Sequence, residues 1–158
     1  MNTIQLITRQ LADNVANQAA ASPRRRMNFN FHAGPEDNPH RMLNVLLRGT
    51  YITPHRHLNP AKPEGFLVLD GVAKLICFDD AGAPIAVHRL TAPGASPVWG
   101  VELAAGVWHT LLAESETAVC YEVKPGPWRP ASDKDFAPWA PRENQPGWRE
   151  YLTYLEGL

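Results

Sequence analysis

The stretch Gly49 to Gly71, GTYITPHRHLNPAKPEGFLVLDG, sets His55 and His57 two residues apart and places Glu64 seven residues beyond the second histidine. In an extended strand, positions i and i+2 share a face and lie about 6 to 7 Å apart, so both imidazoles can aim at one point. The connector LNPAKP is rich in turn formers. GFLVLD then resumes an apolar run suited to pair antiparallel with the histidine strand and to fold Glu64 back toward the pair. Two neutral imidazoles and one carboxylate suit a divalent transition metal such as zinc, iron, manganese or nickel.

Outward from this stretch, the chain of 158 residues is long enough for a real core and short enough for one domain. Its net charge of −1, from 15 basic and 16 acidic residues, gives no electrostatic ground for nucleic acid or an anionic membrane as partner. No apolar run is long enough to span a bilayer, and MNTIQLITRQLADNV lacks the unbroken apolar stretch of a signal peptide, so a cytoplasmic location is expected. Cys77 and Cys120 lie in strand-like runs without ligand spacing and read as buried free thiols. The 15 prolines argue against long helices and for short strands joined by turns, an all-β fold.

Taken in order, residues 3–21 place Ile4, Ile7, Leu11 and Val15 at helical spacing, and Ser22-Pro23 ends the pattern. An N-terminal helix is therefore expected over 1–23, a β region over 24–130 and a C-terminal wrap over 131–158, within one domain overall. PRRRMNFNFH alternates Arg26, Asn28, Asn30 and His32 with Met27, Phe29 and Phe31, a strand with one polar and one apolar face. In a barrel the polar face can look into the cavity, which makes Arg26, Asn28 and, from RMLNVLLRG, Asn44 candidate cavity or anion-site residues. VAKLICF and PIAVHRL form a hairpin about Asp79 to Gly82, with His88 exposed. His32 and His40 lie near loops, off the metal. Trp148, Tyr151, Leu152 and Leu155 mark a short final helix from about Pro146.

The second informative stretch is Gly106-Val107-Trp108-His109, a turn that launches His109 onto an apolar strand and supplies a fourth ligand. In the next run, ETAVCYEVK, register decides whether Tyr121 or Glu122 reaches inward.

The spacing Gly49-x5-His55-x-His57-x6-Glu64-x6-Gly71, followed by Gly106-x2-His109, resembles the two motifs of the cupin superfamily. The loop before Glu64 is longer than usual, and Ala104-Ala105-Gly106 and Ala113 replace the usual proline and asparagine of the second motif. More of the chain, in SPRRRMNFNFH, GTYITPHRH, GVWHTLLA, EVKPGPW and KDFAPWAP, is similar to the WbuC family of cupin-fold metalloproteins, associated with bacterial surface polysaccharide gene clusters. The resemblance implies a jelly-roll β-barrel with one divalent metal held by His55, His57, Glu64 and His109. Cupins commonly pair through sheet edges, so a homodimer is expected.

Three functions are compatible with these residues. The first is a metal-dependent isomerase or epimerase acting on a small polar molecule such as a sugar derivative, with Tyr51, Tyr121 or Glu122 as candidate base. The second is an iron-dependent dioxygenase. The third is a non-enzymatic domain holding a sugar-like or anionic small molecule through Arg24, Arg25, Arg26 and Arg41.

Overall fold

The computed structural model describes residues 4–158. In chain order the elements are α1 (Arg9–Ala21), β1 (Arg26–Asn30), β2 (His40–Leu47), β3 (His55–Arg56), β4 (Glu64–Asp70), β5 (Val72–Phe78), β6 (Pro84–Thr91), β7 (Gly100–Leu103), β8 (Trp108–Ala113), β9 (Thr117–Lys124), β10 (Asp135–Phe136) and α2 (Trp148–Gly157). The strands form two five-stranded sheets, in the orders β1-β2-β9-β4-β7 and β10-β3-β8-β5-β6, with antiparallel neighbours throughout.

The first helix starts later than its apolar spacing predicts. The Thr8 hydroxyl accepts the Leu11 N–H at 3.1 Å and fixes the start at Arg9. Ile4 and Ile7 fall before that cap and remain 73% and 47% exposed. Thr3 lies outside the described residues. The buried stripe is Ala12, Val15 and Ala19, which packs on Leu43, Val45 and Leu47 of β2 and on Met27 and Phe29 of β1.

A second difference concerns the opening motif. Glu64 does not return on a hairpin with the histidine strand: β3 pairs with β8 and β10, whereas β4 pairs with β7 and β9 in the opposite sheet. The connector from Leu58 to Pro63 is long enough to cross between sheets, so the motif closes across the interior. The expected hairpin of β5 and β6 is present, with the Asp79 carboxylate accepting the N–H groups of Ala81 and Ala83 and Gly82 at φ +89°.

Three apolar clusters follow from strand alternation. Inner-facing Leu46, Phe66, Val68, Leu75, Leu111 and Cys120 fill the interior between the sheets. The outward residues of β2 and β9 meet α1. Those of β5 and β8, Ile76, Phe78, Trp108 and Leu112, are covered by Ala137, Ala140, Leu152 and Leu155 of the tail and α2. Because both faces of β8 are covered, all six of its residues are buried. Cys77 and Cys120 are buried free thiols, and His88 is exposed, as the sequence predicts. No helix among the described residues is long and apolar enough to cross a membrane.

Candidate metal centre

β3 and β8 place His55 directly opposite His109, and His57 follows two residues on from His55. Glu64 enters from the facing sheet at the first position of β4. One donor atom from each of the four lies within 4.8 Å of all the others. The four residues are only 4%, 3%, 3% and 2% exposed for His55, His57, Glu64 and His109, so bulk water does not solvate them.

The hydrogen bonds fix which nitrogen faces inward. Nδ1 of His55 meets the Thr53 carbonyl at 3.0 Å, that of His109 meets the Val107 carbonyl at 2.9 Å, and that of His57 meets the Asp133 carbonyl. A carbonyl only accepts, so each Nδ1 carries the proton and each neutral ring turns its Nε2 lone pair to the cluster. Nε2 of His109 and His57 stand 3.0 and 3.5 Å from Glu64 Oε2. Among the described residues, His57 Nε2 is buried without a hydrogen-bond partner. Lone pairs facing a carboxylate repel unless a proton or a cation lies among them, so this donor set fits a divalent metal ion. Burial, and next the charge of Lys134, hold His55 well below the usual imidazole range, which keeps its lone pair free. Burial opposes the charge on Glu64, but the adjoining His109 and His57 rings and the field of Lys124 outweigh it and hold its carboxyl well below the usual range.

A second layer of charge surrounds the cluster. Lys124 Nζ lies 3.3 Å from Asp133 Oδ2, 3.5 Å from Glu122 Oε1 and 3.6 Å from Glu64 Oε1. Burial disfavours the Lys124 ammonium, yet these three carboxylates raise its pKa. Glu122 is pushed up to about 8 by burial and by Glu64, and the Asn44 amide donates to its Oε2. Asp133 also takes Lys62 at 3.4 Å.

The structure separates the other predicted site residues. Arg26, Asn28, Asn44 and Glu122 line one cavity of about 970 Å³ together with His55, Glu64 and His109. Arg26 is nevertheless occupied: Glu143 grips it at 2.6 and 2.9 Å, and the Tyr51 carbonyl accepts from it at 2.9 Å. Tyr51 and Tyr121 stand away from the cavity wall. The Tyr51 hydroxyl donates to the Pro141 carbonyl at 2.6 Å inside the cluster under α2, and burial raises its pKa. Tyr121 lies on the outward face of β9, with its ring 6.0 Å from Phe31. The register therefore turns Glu122 inward and Tyr121 outward. Sequence reasoning missed Lys62, Lys124, Asp133 and Lys134. The period-2 rule that turns Glu122 inward also turns Lys124 inward, whereas nothing in the irregular, Pro-rich tail marks Asp133 and Lys134 as cavity residues.

Two antiparallel sheets enclosing a three-histidine, one-glutamate cluster define a jelly roll of cupin type. The fold is similar to CapF, a capsular polysaccharide assembling protein from Staphylococcus aureus, with TM-score 0.59 and 18% identity over 73% of this chain and 32% of that one. The chain thus spans about a third of the length of CapF, which has also been crystallised with the inhibitor 3-isopropenyl-tropolone. It is similar as well to oxalate decarboxylase from Bacillus subtilis, with TM-score 0.53 and 17% identity over 70% of this chain and 27% of that one. KdgF from Halomonas sp. gives TM-score 0.51 and 15% identity over 70% and 84% of the two chains. At these identities the likeness is one of fold. The chain belongs to the family described as "Domain of unknown function (DUF6016)", whose model matches residues 7–90. No curated protein matches it.

Proposed function

We propose that the chain is a metal-dependent cupin-fold enzyme that isomerises or epimerises a small polar, sugar-like molecule, with His55, His57, Glu64 and His109 as the metal ligands. The observation that carries this reading is the set of three imidazoles, each with its Nδ1 proton committed to a backbone carbonyl and its Nε2 turned to Glu64. A divalent ion bound there supplies a Lewis acid for a substrate hydroxyl or carbonyl.

The chain's own residues do the rest. Thr53, Val107 and Asp133 hold the rings in one tautomer through their carbonyls. Glu122, on the inner face of β9 beside Glu64, takes the proton from the carbon next to the substrate carbonyl and returns it to the product. Lys124 balances the carboxylate charge, and Asn44 orients Glu122. The likeness to the WbuC family, and to a capsular polysaccharide assembling protein by fold, supports a sugar derivative of surface polysaccharide metabolism as the substrate. A cytoplasmic homodimer belongs to the same reading.

Metal analysis of protein purified without added metal tests it. His57→Ala and His109→Ala are each expected to lower bound metal severalfold while circular dichroism shows the sheet signal of the parent. Full metal occupancy in either variant would overturn the ligand assignment.

A further inference from the structure

The cavity wall carries five lysines and arginines against four carboxylates, so it is positive before any metal is counted. Most of these charges are matched. Glu143 holds Arg24 and Arg26, and Lys124 sits among Asp133, Glu122 and Glu64. Lys134 and Arg142 differ: both line the cavity, and neither makes an ion pair or a side-chain hydrogen bond among the described residues.

Both stand next to the metal centre. The Arg142 guanidinium lies 3.9 Å over the ring of Phe136, whose centroid is 6.2 Å from that of His55, so one aromatic ring separates it from the ligand cluster. The stacking holds the planar fork in one orientation and leaves its N–H groups free. Lys134 directly follows Asp133, whose carbonyl accepts from His57. Burial and the neighbouring Lys124 push its pKa down, against the weaker opposing fields of Glu64, Glu122 and Asp133, none of which pairs with it directly. Across the cavity, Asn28 Nδ2 donates to Asn30 Oδ1 at 2.5 Å, which leaves one amide oxygen and one amide NH2 for hydroxyl groups.

We infer that the cavity binds a hydroxylated anion, a polyol or sugar carrying a carboxylate or a phosphate, with the anionic group held by Lys134 and Arg142. This deepens the metal-enzyme reading and rests on it only for the end of the ligand that faces the histidines. The anion site thus lies not at Arg26, which Glu143 grips, but at two cations that make no direct ion pair among the described residues.

Isothermal titration calorimetry with four probes tests it. D-Gluconate is paired with D-glucitol and D-glucose 6-phosphate with D-glucose, so each pair differs by one anionic group and the two arms tell carboxylate from phosphate. At least one charged probe is expected to bind about tenfold more tightly than its neutral partner. Lys134→Met and Arg142→Gln should each lower that affinity about tenfold, and Lys134→Arg should restore most of it. The exposed Arg142 keeps the test usable if Lys134→Met does not fold. The inference is overturned if neither charged probe outbinds its partner, or if both substitutions leave the preference unchanged. Metal content measured on the same samples separates the two readings. Normal metal without charge preference removes this inference alone, whereas charge preference without metal removes the metal reading alone.

Discussion

Asp133 shows how one residue can carry weight that its local sequence does not announce. Its carbonyl accepts from His57, and its carboxylate neutralises both Lys62 and Lys124, which are buried with it. Burial alone would raise its pKa, and Lys124, His57 and Lys62 together more than reverse that. Asp133→Asn keeps the shape and removes the charge, leaving two buried ammonium groups without this partner. The expected loss is about 3 kcal/mol in urea unfolding, with part regained when Lys62→Met is added. A variant as stable as the parent would mean that water or Glu122 already screens these lysines. That His55, His57, Glu64 and His109 share one cluster was legible because strand periodicity and turn spacing are local properties of the sequence. Asp133 and Lys134 were not, because their tail segment has no periodicity and acquires its meaning only by lying over the open end of the barrel.

At the scale of elements, alternation was readable and partnership was not. β1 turns Arg26, Asn28 and Asn30 to the cavity and Met27 and Phe29 to α1, as its period-2 pattern predicts. The same pattern could not say that β4 joins β9 rather than β3, since an apolar strand pairs equally well with either and only closure of the barrel decides. Gly71 marks the place where that closure is tight. It sits between β4 and β5 at φ +73°, and a Cβ there would lie 2.0 Å from the Thr117 carbonyl oxygen and 2.6 Å from Ser115 Oγ. Gly94 is also left-handed, at φ +94°, but a Cβ there would meet nothing within 4 Å. Gly94→Ala should therefore cost only the backbone term of about 1 to 2 kcal/mol, and Gly71→Ala clearly more, as read by chemical denaturation. Equal losses would show that the β4–β5 turn opens to admit a methyl group.

The molecule as a whole is layered, with α1 on one sheet, α2 and the tail on the other, and the clustered site between. Closing the interior between the sheets buries the Cys77 and Cys120 thiols, and covering the outer face with α2 buries the Tyr51 and Tyr151 hydroxyls. The Cys120 thiol is pushed by burial from an ordinary 9.0 up to about 12, and the Tyr151 hydroxyl from 10.0 up to about 12, while Tyr51 and Cys77 move the same way. In the unfolded chain these groups lose their protons at ordinary values, so between about pH 9 and 12 the native state holds more protons than the unfolded state. Their contribution is fully present below about pH 9 and is lost as pH rises, by at most about 1.4 kcal/mol per pH unit for each group in its titrating range. Lys124, raised by its three carboxylates, acts in the same direction above its ordinary 10.5, and Lys134, lowered chiefly by burial, acts against it. Arg26, also lowered chiefly by burial, opposes it too, but the four raised acids outnumber these two cations, so the melting temperature should fall steadily from pH 9 to pH 11. Tyr151→Phe or Cys120→Ala should flatten the slope by removing one titrating proton each. A melting temperature that holds constant to pH 11 would mean that water reaches these groups in the folded protein and that the outer layers are looser than their packing indicates.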